Sequence, residues 1–300
     1  MPQFNPSLAV WLLVSLGAAW WVHGDAERAG LSPRRRWMWT IVSALALFVG
    51  LPGYLLIGRP PQKEARWGLG EVVGGIGAVI VLVIILAQVL ALRGTDSLPQ
   101  LTAGVLLQEA VTVFVVVYVV AVRYRLPLSA VGLRGQGVPR LVGLGLGLGI
   151  LSIPASTFAE QVAMEIAASV VGPLQAQRMN DLEHAMVPVD QFLRGSPSTG
   201  DVALVIALLC VAVPFAEELF FRGLAYTAML ARWGRPIAIV ASAAFFGAVH
   251  MQIIHFLPIL VLGAILAYAY DRTDSLLPPF LIHAINNLIA ILSTLYGWDV

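Results

Sequence analysis

Charge is what this chain has least of. Charged side chains make up 12% of its 300 residues, against about 25% in a soluble globular domain. Hydrophobic residues make up 59%. A surface wetted on all sides cannot be built from that composition, which excludes one soluble core and points to an integral, multi-pass membrane protein. A bias of charge is missing too. The net charge is +1, so no global field draws nucleic acid or an acidic partner. Cysteine is nearly absent. Cys210 stands alone, so it cannot close an internal disulfide and lacks the spacing of a thiolate zinc site. Within an apolar run it reads as a small buried hydrophobe. The first five residues hold no basic side chain, and the apolar run from Leu8 to Val22 ends in Trp20-Trp21 rather than small residues. A retained first span is therefore expected rather than a cleaved signal.

What the chain does have is long apolar runs. A helix needs about 20 apolar residues to cross the hydrocarbon core. Candidate spans are Ser7–His23, Trp37–Ile57, Val72–Leu92, Thr102–Val122, Leu141–Phe158, Val202–Leu230, Ile237–His250, Phe256–Tyr270 and Leu276–Tyr296. The expected fold is all-α, a polytopic transmembrane helical bundle of eight or nine helices. Polar, helix-breaking connections such as Arg232-Trp-Gly-Arg-Pro236 separate the runs. The stretch 159–201 is the longest polar interval. It divides residues 1–158, the N-terminal transmembrane helices, from a C-terminal transmembrane block, 202–300. Glycines at 143, 145, 147 and 149 form two small-xxx-small pairs, the pattern of close helix packing. A slight Lys/Arg excess places the loops after the second, fourth, sixth and eighth spans on the cytoplasmic side.

Against this apolar background, three ionisable groups fall within six residues: Glu217, Glu218 and Arg222. Ionised groups at bilayer depth are costly unless paired or wetted, and they usually mark function. Glu218 and Arg222 are four apart, so on a helix they meet on one face. Glu217 points about 100° away and is left to act on its own as a general base. Downstream, Phe246 and His250 are again four apart, as are His283 and Asn287. An imidazole and an amide on one helix face offer two hydrogen-bond donors, the makings of an oxyanion site. His255, His184, His23 and Glu109 are expected to be peripheral or incidental.

Three motifs in order, Glu217-Glu218-x-x-x-Arg222, Phe246-x-x-x-His250 and His283-x-x-x-Asn287, resemble those of the CAAX prenyl protease 2 family. That family belongs to the wider CPBP (Abi) group of intramembrane proteases. The likeness covers Val202 to Leu292, including Gly223 after the first motif and Asp271-Arg-Thr-Asp-Ser-Leu276 ahead of the third. It makes 202–300 a CPBP-like catalytic block. It implies an endopeptidase in which Glu217 with His250 activates water and His283 with Asn287 holds the oxyanion. Glu218, Arg222 and Phe246 would support the site.

The expected substrate is a membrane-associated peptide or protein, prenylated or not, with the lipid bilayer as the other partner and no nucleic acid. The expected location is the plasma membrane if the source is prokaryotic. No cofactor is expected, because Glu217 and Asn287 already fill the needed roles. The alternative is zinc held by Glu217, His250 and His283, although no His-Glu-x-x-His lies on one helix. A non-proteolytic scaffold or bacteriocin-immunity-type protein of the same fold is the competing function. A proton-coupled transporter is disfavoured, since the polar residues cluster in one block without two symmetric halves.

Overall fold

The computed structural model describes residues 6–60, 66–90, 97–185, 187–195 and 197–298. Twelve helices and no strand occur among them: α1 Pro6–Arg28, α2 Pro33–Leu45, α3 Leu47–Gly58, α4 Leu69–Val89, α5 Leu98–Arg123, α6 Val138–Val171, α7 Pro173–Ala185, α8 Pro188–Arg194, α9 Thr199–Trp233, α10 Arg235–Val249, α11 Phe256–Thr273 and α12 Leu277–Tyr296. Among the described residues, six of these (α4, α5, α6, α9, α11 and α12) are long and apolar enough to cross a membrane, and α3 and α10 are shorter apolar helices. Much of the apolar surface remains outward, as at Phe114, Phe158 and Val240. In lipid that is the favourable arrangement, because a helix that satisfies its own backbone loses nothing by facing hydrocarbon.

The expected span Trp37–Ile57 is not one helix. The backbone leaves helical geometry at Ala46, with φ −138° and ψ 67°, and the chain reverses there. Gly50 lies on the backbone of Ser43, where an added Cβ would come within 2.5 Å. Trp39 packs on Gly53 and Gly58 and edge-on to Tyr54. Absence of side chains at those glycines is what lets α2 and α3 fold into a tight helical hairpin. The parity on which the cytoplasmic orientation rested loses its second span.

Helix α6 also departs from expectation. It runs through 158/159 without a break and continues to Val171, 34 residues in all. At 1.5 Å per residue that is about 51 Å, well beyond a hydrocarbon core of about 30 Å. Its far end, with α7 and α8, occupies much of the polar interval. Of the two glycine pairs in α6, only one makes an interface. A Cβ on Gly145 would meet Leu281 at 3.0 Å and one on Gly149 would meet Ile285 at 2.6 Å, both on α12, whereas Gly143 and Gly147 face open space. In a bilayer, where apolar burial gives little drive for association, this close approach supplies dispersion contact between backbones.

The core of the molecule lies around α9. Leu219, Phe220, Leu224, Ala225 and Tyr226 on α9 pack with Val116 and Val120 of α5, Phe246 of α10, Leu266 of α11 and Ile282 of α12. Two stretches of α9, Leu208–Ala212 and Leu219–Tyr226, are wound as π-helix. Such widened turns leave carbonyls out of register, and they recur at functional sites.

Gly149→Leu should drive α6 off α12 and cost about 1–3 kcal/mol of stability. Gly143→Ala should lie within about 0.5 kcal/mol of the parent. Thermal unfolding of the detergent-solubilised protein separates the two; equal midpoints would refute the assignment of the interface.

Candidate functional site

The site is assembled from one turn of α9, the C-terminal end of α10 and the middle of α12. Glu217 and Glu218 sit on the short α-helical turn that separates the two π-wound stretches. Glu218 and Arg222 are fully buried. Arg222 Nε lies 3.1 Å from Glu218 Oε2. Arg222 also donates from a terminal nitrogen to the carbonyl of Gly263 on α11, at 3.4 Å. Its guanidinium stacks over the Phe246 ring, 4.5 Å from the centroid. A charge removed from water this completely persists only with compensation on several sides. Here the compensation is a carboxylate, a carbonyl and an aromatic face, contributed by α9, α11 and α10.

Glu218 holds a second partner. Its Oε1 accepts a hydrogen bond from His283 Nδ1 at 3.0 Å. The ring's other nitrogen, Nε2, faces Glu217 Oε2 across 3.8 Å, longer than a direct hydrogen bond. So His283 bridges the two glutamates rather than standing apart from them. Glu217 Oε2 is buried and accepts no hydrogen bond among the described residues. A buried orphan acceptor costs about 1–3 kcal/mol, and such groups concentrate where chemistry needs them.

Phe246 ties the remaining pieces together. Besides Arg222, its ring meets His250 at 4.8 Å and His283 at 5.7 Å with the planes perpendicular. His250 caps the end of α10, and its Nδ1 is 2.7 Å from the Phe246 carbonyl oxygen. A carbonyl only accepts, so Nδ1 carries the proton and Nε2 of the neutral ring keeps its lone pair. No ion pair or hydrogen bond joins His250 to Glu217 among the described residues.

Asn287 has a backbone role that its spacing did not reveal. Its Nδ2 donates to the carbonyl of Leu209 at 2.7 Å. In the π-wound stretch each carbonyl looks to the amide five residues on, as Leu208 does to Val213. For Leu209 that residue is Pro214, which has no N–H. The Asn287 amide fills the vacancy and docks α12 on α9. Its second N–H stays available as a donor. The neighbouring Asn286 donates to Ser152 Oγ at 2.7 Å and the Ile282 carbonyl at 2.8 Å, joining α12 to α6.

A cavity of about 740 Å³ opens beside these groups, with Phe246, His250, His283, Asn286 and Asn287 in its wall. Glu217 is not part of that wall; His283, which is, lies next to it. Other lining residues come from α6, α7 and α8, among them Glu160, Asn180, His184 and Arg194. The polar interval thus roofs the site, which apolar periodicity gave no means to foresee.

His255, expected to be peripheral, also lines the cavity, and its Nδ1 lies 2.7 Å from Glu183 Oε2. Burial pushes the Glu183 carboxyl upward. The N–H groups of Ile254, His255 and Ile253 and the His255 ring outweigh that and hold it below its ordinary range. Glu109 on α5, also given no part, is buried and lies 3.4 Å from the Gln108 amide. His23 contacts Thr40 and Trp37 far from this region.

A zinc ion on Glu217, His250 and His283 needs the three donors in one coordination shell. Among the described residues no group of three His, Cys, Asp or Glu side chains is placed to hold a metal ion. The site brings together an ion pair, a bridging imidazole, a second imidazole and an amide.

Residues 199–289 match the family described as Rce1-like, type II CAAX prenyl endopeptidase. The matched stretch spans α9, α10, α11 and most of α12, and it contains every residue of the three motifs. It supports membership of the CAAX protease (CPBP) group and, with the six long apolar helices, an integral membrane protease. No curated protein and no solved structure matches the chain.

Arg222→Met should leave the buried Glu218 carboxylate with only its His283 hydrogen bond to compensate it and cost about 3–5 kcal/mol. The double variant Glu218→Gln/Arg222→Met removes both charges and should recover part of that loss. Thermal unfolding in detergent reads both; a double variant no better than the single would overturn the pairing.

Proposed function

We propose that the chain is an intramembrane endopeptidase that hydrolyses a peptide bond of a membrane-associated substrate with an activated water. The carrying observation is the buried Oε2 of Glu217, which accepts no hydrogen bond among the described residues and faces His283 across 3.8 Å, within a stretch that matches CAAX-type endopeptidases.

In this reading the scissile carbonyl enters the cavity next to His283 and Asn287. Water attacks its carbon while Glu217 takes the proton, aided by the lone-pair nitrogen of His250. The carbonyl π electrons move to oxygen, and the oxyanion is met by the free N–H of Asn287 and by the Nε2–H of His283 in its imidazolium form, Nδ1–H being held by Glu218. Collapse re-forms the carbonyl and expels the amine, which receives the proton that Glu217 took up. Glu218 and Arg222 do no bond chemistry; they fix the helix and, through Nδ1, the His283 ring. The scheme uses no metal.

The substrate is a peptide or protein held at the membrane. A prenylated C-terminal segment accords with the family description, and an unmodified membrane peptide is the other candidate. In a prokaryotic source the site would lie in the plasma membrane.

Glu217→Gln preserves shape and removes the base. In lipid nanodiscs it should lower kcat about 10²–10⁴-fold with normal insertion and thermal midpoint. Asn287→Ala should lower kcat about 10²–10³-fold and also lower the midpoint, because the Leu209 carbonyl loses its donor. A peptide library or membrane proteome cleaved equally by parent and Glu217→Gln would sink the protease reading. It would leave a scaffold or immunity role, in which the variants should stay functional.

A further inference from the structure

We propose that Glu183 on α7 is a positioning residue for His250: its carboxylate fixes the turn that follows His250 and thereby the stance of the imidazole ring. This rests on the part assigned to His250 above.

The clamp is unusually complete. Glu183 Oε1 accepts from the N–H of Ile253 at 2.7 Å and of Ile254 at 2.9 Å. Its Oε2 accepts from the N–H of His255 at 3.1 Å and lies 2.7 Å from the His255 Nδ1. Four acceptor positions, all that a carboxylate has, are filled. The donors come from a segment some 70 residues away in sequence, so this side chain joins the roof helix to the loop. Burial is near complete, with Glu183 at 8% exposure.

Only Met251 and Gln252 lie between His250 and the clamped amides. Met251 has φ +56°, a left-handed conformation uncommon for a bulky residue. Its side chain is 87% exposed, so packing does not hold it there. Backbone of this kind persists when its flanks are over-determined. On one side the flank is α10, whose Gly247 and Ala248 carbonyls accept from His250 and Met251. On the other it is the Glu183 carboxylate. With that anchor released, Met251 can relax to negative φ, and the last turn of α10, which carries the His250 ring and its bond to the Phe246 carbonyl, is free to fray.

The roof is linked further inward: His255 Nε2 lies 3.9 Å from Glu160 Oε1 on α6, and the His184 ring meets the His255 ring edge-on at 5.0 Å. A merely structural cap on α11 would need Glu183 as well, so the decisive readout is His250 itself.

Nitrogen-15 histidine spectra of the full chain in nanodiscs, with His250 assigned by its loss in His250→Ala, supply it. The parent should show one Nδ1–H tautomer at neutral pH. Glu183→Gln keeps size but offers one acceptor oxygen and turns an NH₂ donor toward N–H groups. Its His250 signal should average or split, and kcat should fall about 10- to 100-fold with KM within about twofold. An unchanged His250 signal overturns the proposal, as does a raised KM with kcat intact, which would make Glu183 part of the cavity wall only. Should that variant not fold, Glu183→Asp is read the same way: intermediate signal and rate are expected, and parental values of both overturn it. A parent that cleaves nothing while His250 still responds to Glu183 would instead fail the protease reading and leave the clamp standing.

Discussion

Everything near the site depends on keeping one guanidinium charged where no water reaches it. Arg222 has no exposed surface, and a lone cation at that depth would not survive folding. Its partners are therefore structural necessities: the Glu218 carboxylate, the Gly263 carbonyl and the Phe246 ring. Each comes from a different position in the chain, so satisfying one charge orders α9, α10 and α11 together. Glu218 then has one oxygen left to hold His283, which brings in α12. A single electrostatic demand is passed from helix to helix until the side chains of the candidate site are in place.

The π-wound stretches of α9 do related work with the backbone. Widening a helix frees carbonyls, and in a membrane a free carbonyl must find a donor. Asn287 serves Leu209, and Trp67 donates at 2.8 Å to Leu224, whose carbonyl also accepts from the Thr227 N–H. Each irregular turn becomes a docking point for another part of the chain. The same irregularity leaves the Glu217–Glu218 turn between two widened segments, where the side chains are aimed by tertiary contacts as well as by helical phase.

How much of this could be read from residues alone varies with the kind of force. The apolar runs marked the long helices because hydropathy is local, and spacing of four foresaw the Glu218–Arg222 pair. The bridge through His283 was not legible, since it joins residues 65 apart and spacing within α12 only placed the ring beside Asn287. The hairpin at Ala46 escaped because its run is apolar from end to end; the reversal depends on glycines meeting Ser43 and Trp39. The roof escaped for the opposite reason. Glu183 looks like any solvated glutamate until the amides of Ile253, Ile254 and His255 converge on it. Asn287 was legible as a polar residue in a span, but its link to Pro214 required knowing the winding of α9.

That last link has a consequence for how the chain can change over generations. Pro214 and Asn287 lie on different helices, yet they share one acceptor, the Leu209 carbonyl. Any other residue at 214 brings an amide proton that competes for that oxygen, and any apolar residue at 287 strands it. Neither position is free to drift alone, so the missing proton of one residue and the spare proton of the other amount to a single inherited trait.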